Sequence, residues 1–581
     1  MKPSEPITAP PAGVRITSSR LGQTVRGGRQ TLRDVSLTIE PGELVAIIGA
    51  SGAGKTTLLE TLAGIRPANS GTVDRRHSTD RAQDHDTARP QDTDTDRADG
   101  PATVGYVPQD DIIHHELPLE RTLRYAARLR LAPGTDPTAL DRRVHEVMAE
   151  LGLTERAGVP VGRLSGGERK RASIAVELLT RPGVFFLDEP TSGLDPAIAV
   201  ELLRVLRGLA DSAATVVLTT HQVTDVEFCD RVVVLTRQGA LAFAGTPAAA
   251  REFFGVTTLA EVYLRLDEET EPATWPDRFA AGNEQPAPEP PVTTSAAVRR
   301  PGRRVGPLHQ WVVLTGRNLE IVGRNRLTLA ILLGSPLMVL GMFALLFRPG
   351  AFEPADPSPN VMVMILFWIA FGGFFFGLTY GLLQICTELP IVRRERLAGV
   401  RVGPYLLAKV AVLLPLLALV DLALLGVLRG IDRLPAAGGG AFAALYLTLL
   451  LSSAGALALG LLCSASVADA AQATLLLPML CFPQVLFVGA ILPVPEMAAG
   501  GRWLSYAMSN RWAFEGLGHT AELERIWRDG ASPLGPPLLA SYGDSFARPV
   551  WVDWVILAGF LVAFLAAAWA VLARRDSRGT A

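Results

Sequence analysis

Cysteine is scarce and nowhere clustered: Cys229, Cys386, Cys463 and Cys481 are the only four in 581 residues. Spread so widely, they exclude a structural zinc site or a disulfide scaffold, and small buried apolar side chains are expected of them. Lysine is nearly absent while arginine is abundant, a bias read as genome composition rather than function. A large excess of either charge is also missing. The formal net charge of −2 argues against a dedicated nucleic-acid binder, which carries a strong basic surplus. The amino terminus is polar and proline-rich without a cleavable signal pattern, so targeting is expected from internal apolar segments. Apolar residues, by contrast, make up 49% of the chain. At that length and content at least two domains are expected.

Gly49, Ala50, Ser51, Gly52, Ala53, Gly54, Lys55 and Thr56 fit the phosphate-loop pattern G-x-x-x-x-G-K-[ST], and the apolar run Leu44 to Ile48 before them reads as the strand that the motif requires. Glycines let backbone N–H groups close around phosphates. Lys55 is expected to reach the β and γ phosphates, Thr56 to offer its hydroxyl to Mg²⁺, and Thr57 to continue the loop. Val184 to Leu187 has the pattern of a buried strand ending in Asp188 and Glu189, at the edge where parallel sheets hold ligands. There Asp188 suits the Mg²⁺ shell, and Glu189 suits the base that orients the attacking water. Alone, such an acid pair is weak, often a solvated strand end.

Leu164-Ser165-Gly166-Gly167-Glu168 resembles the signature of ATP-binding cassette proteins, and other strings agree in order: Gln109 after Tyr106-Val107-Pro108, the loop Ser192-Gly193-Leu194-Asp195, and His221 after Thr219-Thr220. The resemblance implies an α/β P-loop NTPase domain using ATP and Mg²⁺. It further implies that Ser165, Gly166 and Gly167 contact the γ-phosphate held by a second copy. By the same carry-over Gln109 touches Mg²⁺ and the lytic water, Asp195 communicates between sites, and His221 senses the γ-phosphate. Many cassettes stack adenine on an aromatic upstream of the phosphate loop. No Phe, Tyr or Trp occurs between Met1 and Leu44, which leaves base preference, ATP or GTP, open.

The layout expected is a nucleotide-binding domain over 1–265 with a disordered, Asp, Arg and Thr-rich insertion at 74–100, a Pro-rich linker over 266–306, an amphipathic connecting helix over 307–326, and a six-span all-α membrane domain over 327–581 with an outer loop at 494–550. Spans are placed at about 327–347, 361–386, 405–428, 441–463, 472–493 and 551–573, each long enough for ~30 Å of hydrocarbon. Pro478 and Pro483 are expected to kink the fifth, and Gly489 to Met497 to re-enter. Arg317, Arg324, Arg326, Arg393, Arg394, Arg396, Arg401, Arg574 and Arg575 place both termini and the 387–404 loop in the cytoplasm by positive-inside counting.

Cassette first and six spans second resembles the half-transporters of the ABCG (white) subfamily, a match sharpened by Gly105 to Asp111, Thr122 to Leu131 and Arg511-Trp512-Ala513-Phe514-Glu515. The 494–550 loop holds no cysteine, so the outer-loop disulfides of some animal relatives are excluded. The second span is crowded with aromatics that surround the helix, as packing surface does. The resemblance, in which the second and fifth spans line a cavity, makes Phe371 and Phe375 candidate cargo contacts. Asp421, an acid among leucines, is either functional or bonded to a neighbouring helix. Glu395, among Arg393, Arg394 and Arg396, is the candidate coupling residue, its charged pair locking the loop against the cassette. The expected function is an ATP-hydrolysing exporter in the cell membrane, working with a second half-transporter, membrane lipid and a hydrophobic or amphipathic substrate such as a lipid, glycolipid or drug-like molecule. The rival is an ATP-driven transmission device that acts on an extracytoplasmic partner without carrying cargo.

Overall fold

A computed structural model describes residues 13–24, 28–77, 104–110, 112–267, 274–282, 305–353, 355–435 and 438–579. Most of the expected insertion, 78–100, and most of the expected linker lie outside the described residues. Of the linker's first half, 266–267 end the helix Leu259–Asp267 and 274–282 form the helix Thr274–Gly282. The chain divides into two compact units, essentially 1–306 and 307–577.

The first unit is built on two sheets. Strands β1 (Val14–Thr24), β2 (Gln30–Ile39) and β4 (Ser70–His77) form an antiparallel sheet in the order β2-β1-β4. A six-stranded sheet runs β5-β6-β7-β3-β8-β9, with β3 at Leu44–Gly49, β5 at Val104–Val107, β6 at Val184–Leu187, β7 at Thr215–Thr219, β8 at Arg231–Leu235 and β9 at Leu241–Gly245. All its pairings are parallel except β8 with β9. Covered on both faces, its strands are continuous apolar runs rather than alternating ones. Side-chain alternation along β3 sends Leu44, Ala46 and Ile48 into one core and Val45 and Ile47 into another. Because β7 lies between β6 and β3, three carboxyl ends emerge side by side at one edge.

The second unit is helical. Pro359–Leu382, Val402–Gly430, Gly439–Ser466 and Val550–Arg575 are long and apolar enough to cross a membrane, with mean hydropathies of 2.0 to 2.6. Pro307–Arg324 forms a helix whose apolar residues Leu308, Val312 and Leu319 stay exposed along one stripe. It is followed by Arg326–Leu346. The fifth apolar stretch forms the helix Ala470–Leu486 with Pro478 and Pro483 inside it. It stops short of 493 because Gly489 adopts φ +98° and Pro493 opens a single 3-10 turn, Val494–Glu496.

Candidate functional site

The phosphate loop turns from β3 into the helix Lys55–Ala63. Gly54 has φ +92°, and a Cβ there would lie 2.4 Å from the Thr31 carbonyl oxygen, so both conformation and space require glycine. Gly49 and Gly52 also adopt positive φ; Ala53 is buried, Ser51 and Thr56 are exposed, and Thr57 is half-buried. The Lys55 ammonium donates to the Gly49 and Ala50 carbonyls at 3.0 and 3.2 Å. Burial pushes its pKa below the ordinary lysine value, against the raising influence of Glu189 and Asp188. More negative charge beside it, such as a triphosphate, favours the charged form.

Asp188 and Glu189 leave β6 in different directions. Asp188 is buried, and its Oδ1 accepts from Thr219 Oγ1 at 2.6 Å and from Thr56 Oγ1 at 3.1 Å. The Thr56 hydroxyl and the Asp188 carboxylate therefore converge as hard oxygen donors suited to Mg²⁺. Glu189 takes φ +45°, a sparsely populated conformation for a residue with a Cβ, and its N–H donates to Thr219 Oγ1 at 2.9 Å. This geometry turns its carboxylate toward Gln109 and His221. Gln109 Nε2 donates to Glu189 Oε2 at 3.1 Å, and His221 Nε2 stands 2.5 Å from Glu189 Oε1. His221 Nδ1 lies 3.4 Å from the Lys55 ammonium. Since an ammonium only donates, Nδ1 is the acceptor and the proton sits on Nε2, facing Glu189.

Around this group are residues that the sequence did not single out. Lys170, buried on the helix Gly166–Leu178, donates to the Pro108 and Gln109 carbonyls at 3.1 and 2.8 Å and so pins the loop carrying Gln109. Asp225, 1% exposed, accepts from Thr191 and Thr220 hydroxyls, both at 2.5 Å, and burial raises its pKa. These bonds brace the segments on either side of Glu189 and His221. A lysine four residues after Gly166 and an acid four after His221 carry no motif, so only the fold brings them in.

The signature residues are placed otherwise. Ser165 caps the helix Gly166–Leu178 reciprocally with Glu168: its N–H donates to Glu168 Oε2 at 2.8 Å, and Glu168 N–H donates to Ser165 Oγ at 3.3 Å. A hydrogen bond from Arg156, and then those with Ser165, hold the Glu168 carboxyl below its usual range. Ser165 and Gly166 are exposed, while Gly167 is buried against Ile198. No hydrogen bond among the described residues joins Ser165, Gly166 or Gly167 to the phosphate loop. Asp195 is exposed at the start of the helix Pro196–Asp211.

In the second unit, Glu395 lies on the helix Leu389–Leu397, and its two carboxylate oxygens accept from Arg317 Nη1 and Nη2, the latter at 3.0 Å. This two-pronged ion pair ties it to the connecting helix of its own unit. Arg317, one of the topology-setting charges, has a side chain only 3% exposed; its planar fork matches the carboxylate. Asp421 is fully buried and accepts from Ser453 Oγ at 2.5 Å, so it does bond a neighbouring helix. Phe371 and Phe375 are half-buried and continue a ladder from Phe367, with successive ring centroids 6.2 Å apart. Phe374 and Phe376 point into the core. The aromatics therefore do include a stripe, at a four-residue spacing.

Residues 32–192 match the family described as ABC transporter, and residues 309–520 the family described as ABC-2 type transporter. The chain is 31% identical over 552 residues to the ABC transporter ATP-binding/permease protein Rv1747 of Mycobacterium tuberculosis, covering 93% of this chain and 61% of that protein. It is 38% identical over 247 residues to ATP-binding cassette sub-family G member 5 of Homo sapiens, covering 41% of this chain and 35% of that protein. To ABC transporter G family member 22 of Arabidopsis thaliana it is 36% identical over 233 residues, or 39% and 29% of the two chains. The chain thus spans about three fifths of the mycobacterial relative and about a third of the others.

Proposed function

The chain joins an ABC transporter nucleotide-binding domain to a following ABC-2 type membrane domain, the half-transporter order of its G-family relatives, and from that premise we propose that it is an ATP-hydrolysing exporter of hydrophobic or amphipathic substrates across the cell membrane. The observation that carries this reading is the Glu189 carboxylate, held by Gln109 and His221 at the sheet edge beside the phosphate loop. A carboxylate fixed on both oxygens is oriented to accept a proton from a water in line with the γ-phosphate. Lys55 balances phosphate charge, and its release from the loop carbonyls is the rearrangement that ATP binding requires. Thr56 and Asp188 would hold Mg²⁺, which supplies charge neutralisation at the phosphates. Gln109, on the loop pinned by Lys170, follows any movement of the helix that begins at the signature.

The solvent-exposed signature supports a composite site completed by a second half-transporter, either a second copy or a different chain. Phe371 and Phe375 present aromatic surface suited to flat apolar cargo. The test is reconstitution in liposomes with fluorescent lipids and amphipathic dyes. Movement across the bilayer is expected with ATP and not with a non-hydrolysable analogue. Steady hydrolysis without movement of any amphipathic probe would instead favour a device that transmits force to a partner.

A further inference from the structure

Where the connecting helix meets the bases of the helices Pro359–Leu382 and Val402–Gly430, a small open cleft lies between Asn318, Gln384, Glu388 and Lys409, with Ile321 and Val412 as apolar walls. Asn318 is only 4% exposed, and neither its amide nitrogen nor its amide oxygen has a hydrogen-bond partner among the described residues. Leaving such a group unpaired is costly, so a buried amide with both ends open marks a place where water or the polar group of a ligand belongs. Gln384, half-buried, brings a second amide to the same cleft.

The charges at the cleft are balanced. Lys409 Nζ lies 2.7 Å from Glu388 Oε2, and Tyr405 donates its hydroxyl to the same oxygen at 3.2 Å. A compensated pair disfavours a ligand of net charge; a zwitterion that offers N–H donors to amide oxygens and phosphate oxygens to amide N–H groups fits. A choline headgroup lacks the N–H donors that the amide oxygens need. The surroundings identify the medium. Leu308, Val312 and Leu319 are 71%, 57% and 63% exposed on the helix that bears Asn318, and exposed Leu383 and Leu407 flank Gln384 and Lys409 in sequence. Apolar stripes beside polar groups at the end of long apolar helices place the cleft at headgroup depth.

We propose that this cleft binds the headgroup of an ethanolamine phospholipid, its ammonium donating to the Asn318 and Gln384 oxygens and its phosphate accepting from their amide nitrogens. The inference rests on the membrane reading of the second unit and not on ATP hydrolysis. It is tested on the full chain in nanodiscs of equal phosphatidylethanolamine and phosphatidylcholine, released into the gas phase and weighed with its retained lipids. Two open amide pairings correspond to about tenfold preference for the ethanolamine lipid. Asn318→Leu, of similar volume without the amide, is expected to reduce that preference to within about twofold. Equal retention of the two lipids by the wild type overturns the proposal, as does undiminished preference in Asn318→Leu. Should that variant not fold, soluble glycerophosphoethanolamine decides the source on the wild type. No displacement at millimolar concentration is expected of a site that needs the acyl chains, and full displacement would assign the cleft to a free phosphoamine instead. Because lipid retention is read without nucleotide, the outcome stands or falls separately from the transporter reading.

Discussion

Lysine is rare in this chain, and Lys55, Lys170 and Lys409 are each buried against oxygen acceptors. A compact ammonium on a flexible stem serves such positions in a way a planar guanidinium does not, so the few lysines were a better guide to the site than the many arginines. Lys55 was legible because a motif surrounds it. Lys170 was not, since its partners are backbone carbonyls 61 and 62 residues away. Thr219 and Asp225 were hidden for the same reason: both act on residues beyond their own segment. Two outcomes follow at this scale. Glu189→Gln keeps the shape of the side chain and one accepting oxygen but removes the proton acceptor, so Mg-ATP binding is expected to persist while steady-state phosphate release falls at least ~100-fold; wild-type turnover would remove Glu189 as base. Lys170→Met frees the Gln109 loop and is expected to slow hydrolysis about tenfold, with nucleotide affinity within about threefold of wild type. An equal loss of affinity and turnover in a titration of fluorescent nucleotide would show that Lys170 serves the binding fold instead.

Among the elements, the helices Pro359–Leu382 and Gly439–Ser466 touch backbone to backbone. A Cβ on Gly377 would lie 2.1 Å from the Ser453 carbonyl oxygen, one on Gly381 2.5 Å from that of Leu457, and one on Gly460 2.5 Å from that of Leu378. This small-residue seam is what close helix approach in a membrane requires. The apolar stretches were legible from composition; the seam was not, because the aromatics between the glycines dominate the sequence. Gly377→Ala is expected to cost about 1–3 kcal/mol and lower the melting temperature. Gly372→Ala, with open space around its Cβ, is the control and should leave it unchanged; equal melting of both variants would refute the seam. The pair Arg317–Glu395 supplies a second case. Sequence singled out Glu395 but not its partner Arg317, since charge density along one loop says nothing about a guanidinium 78 residues earlier. Glu395→Ala strands a buried charge and should destabilise by about 3–5 kcal/mol, whereas Arg317→Met with Glu395→Met should recover most of the loss. A double variant as unstable as the single one, in thermal denaturation, would mean that other contacts of these residues dominate.

For the molecule as a whole, each chain presents one phosphate loop and one exposed signature, and no described hydrogen bond joins the two. The order of motifs was enough to read both halves of this arrangement, because phosphate chemistry restricts residue types and spacing tightly. The membrane unit was legible only as apolar lengths, since cargo and lipid surfaces accept many side chains; the Asn318 cleft needed three helices brought together before any of its residues meant anything. The central claim, that hydrolysis occurs at a site shared between two half-transporters, is tested most directly, with two copies of this chain as the pair, by complementation. Lys55→Ala disables the phosphate loop. Gly166→Asp places a charge on the exposed signature, where only Leu194 lies as near as 3.9 Å, so the fold is retained. Each variant alone should lack ATPase activity, while co-assembled chains contain one site with both wild-type elements and should recover a substantial fraction of it. A co-assembled sample no more active than either variant alone would contradict a site shared by two copies of this chain.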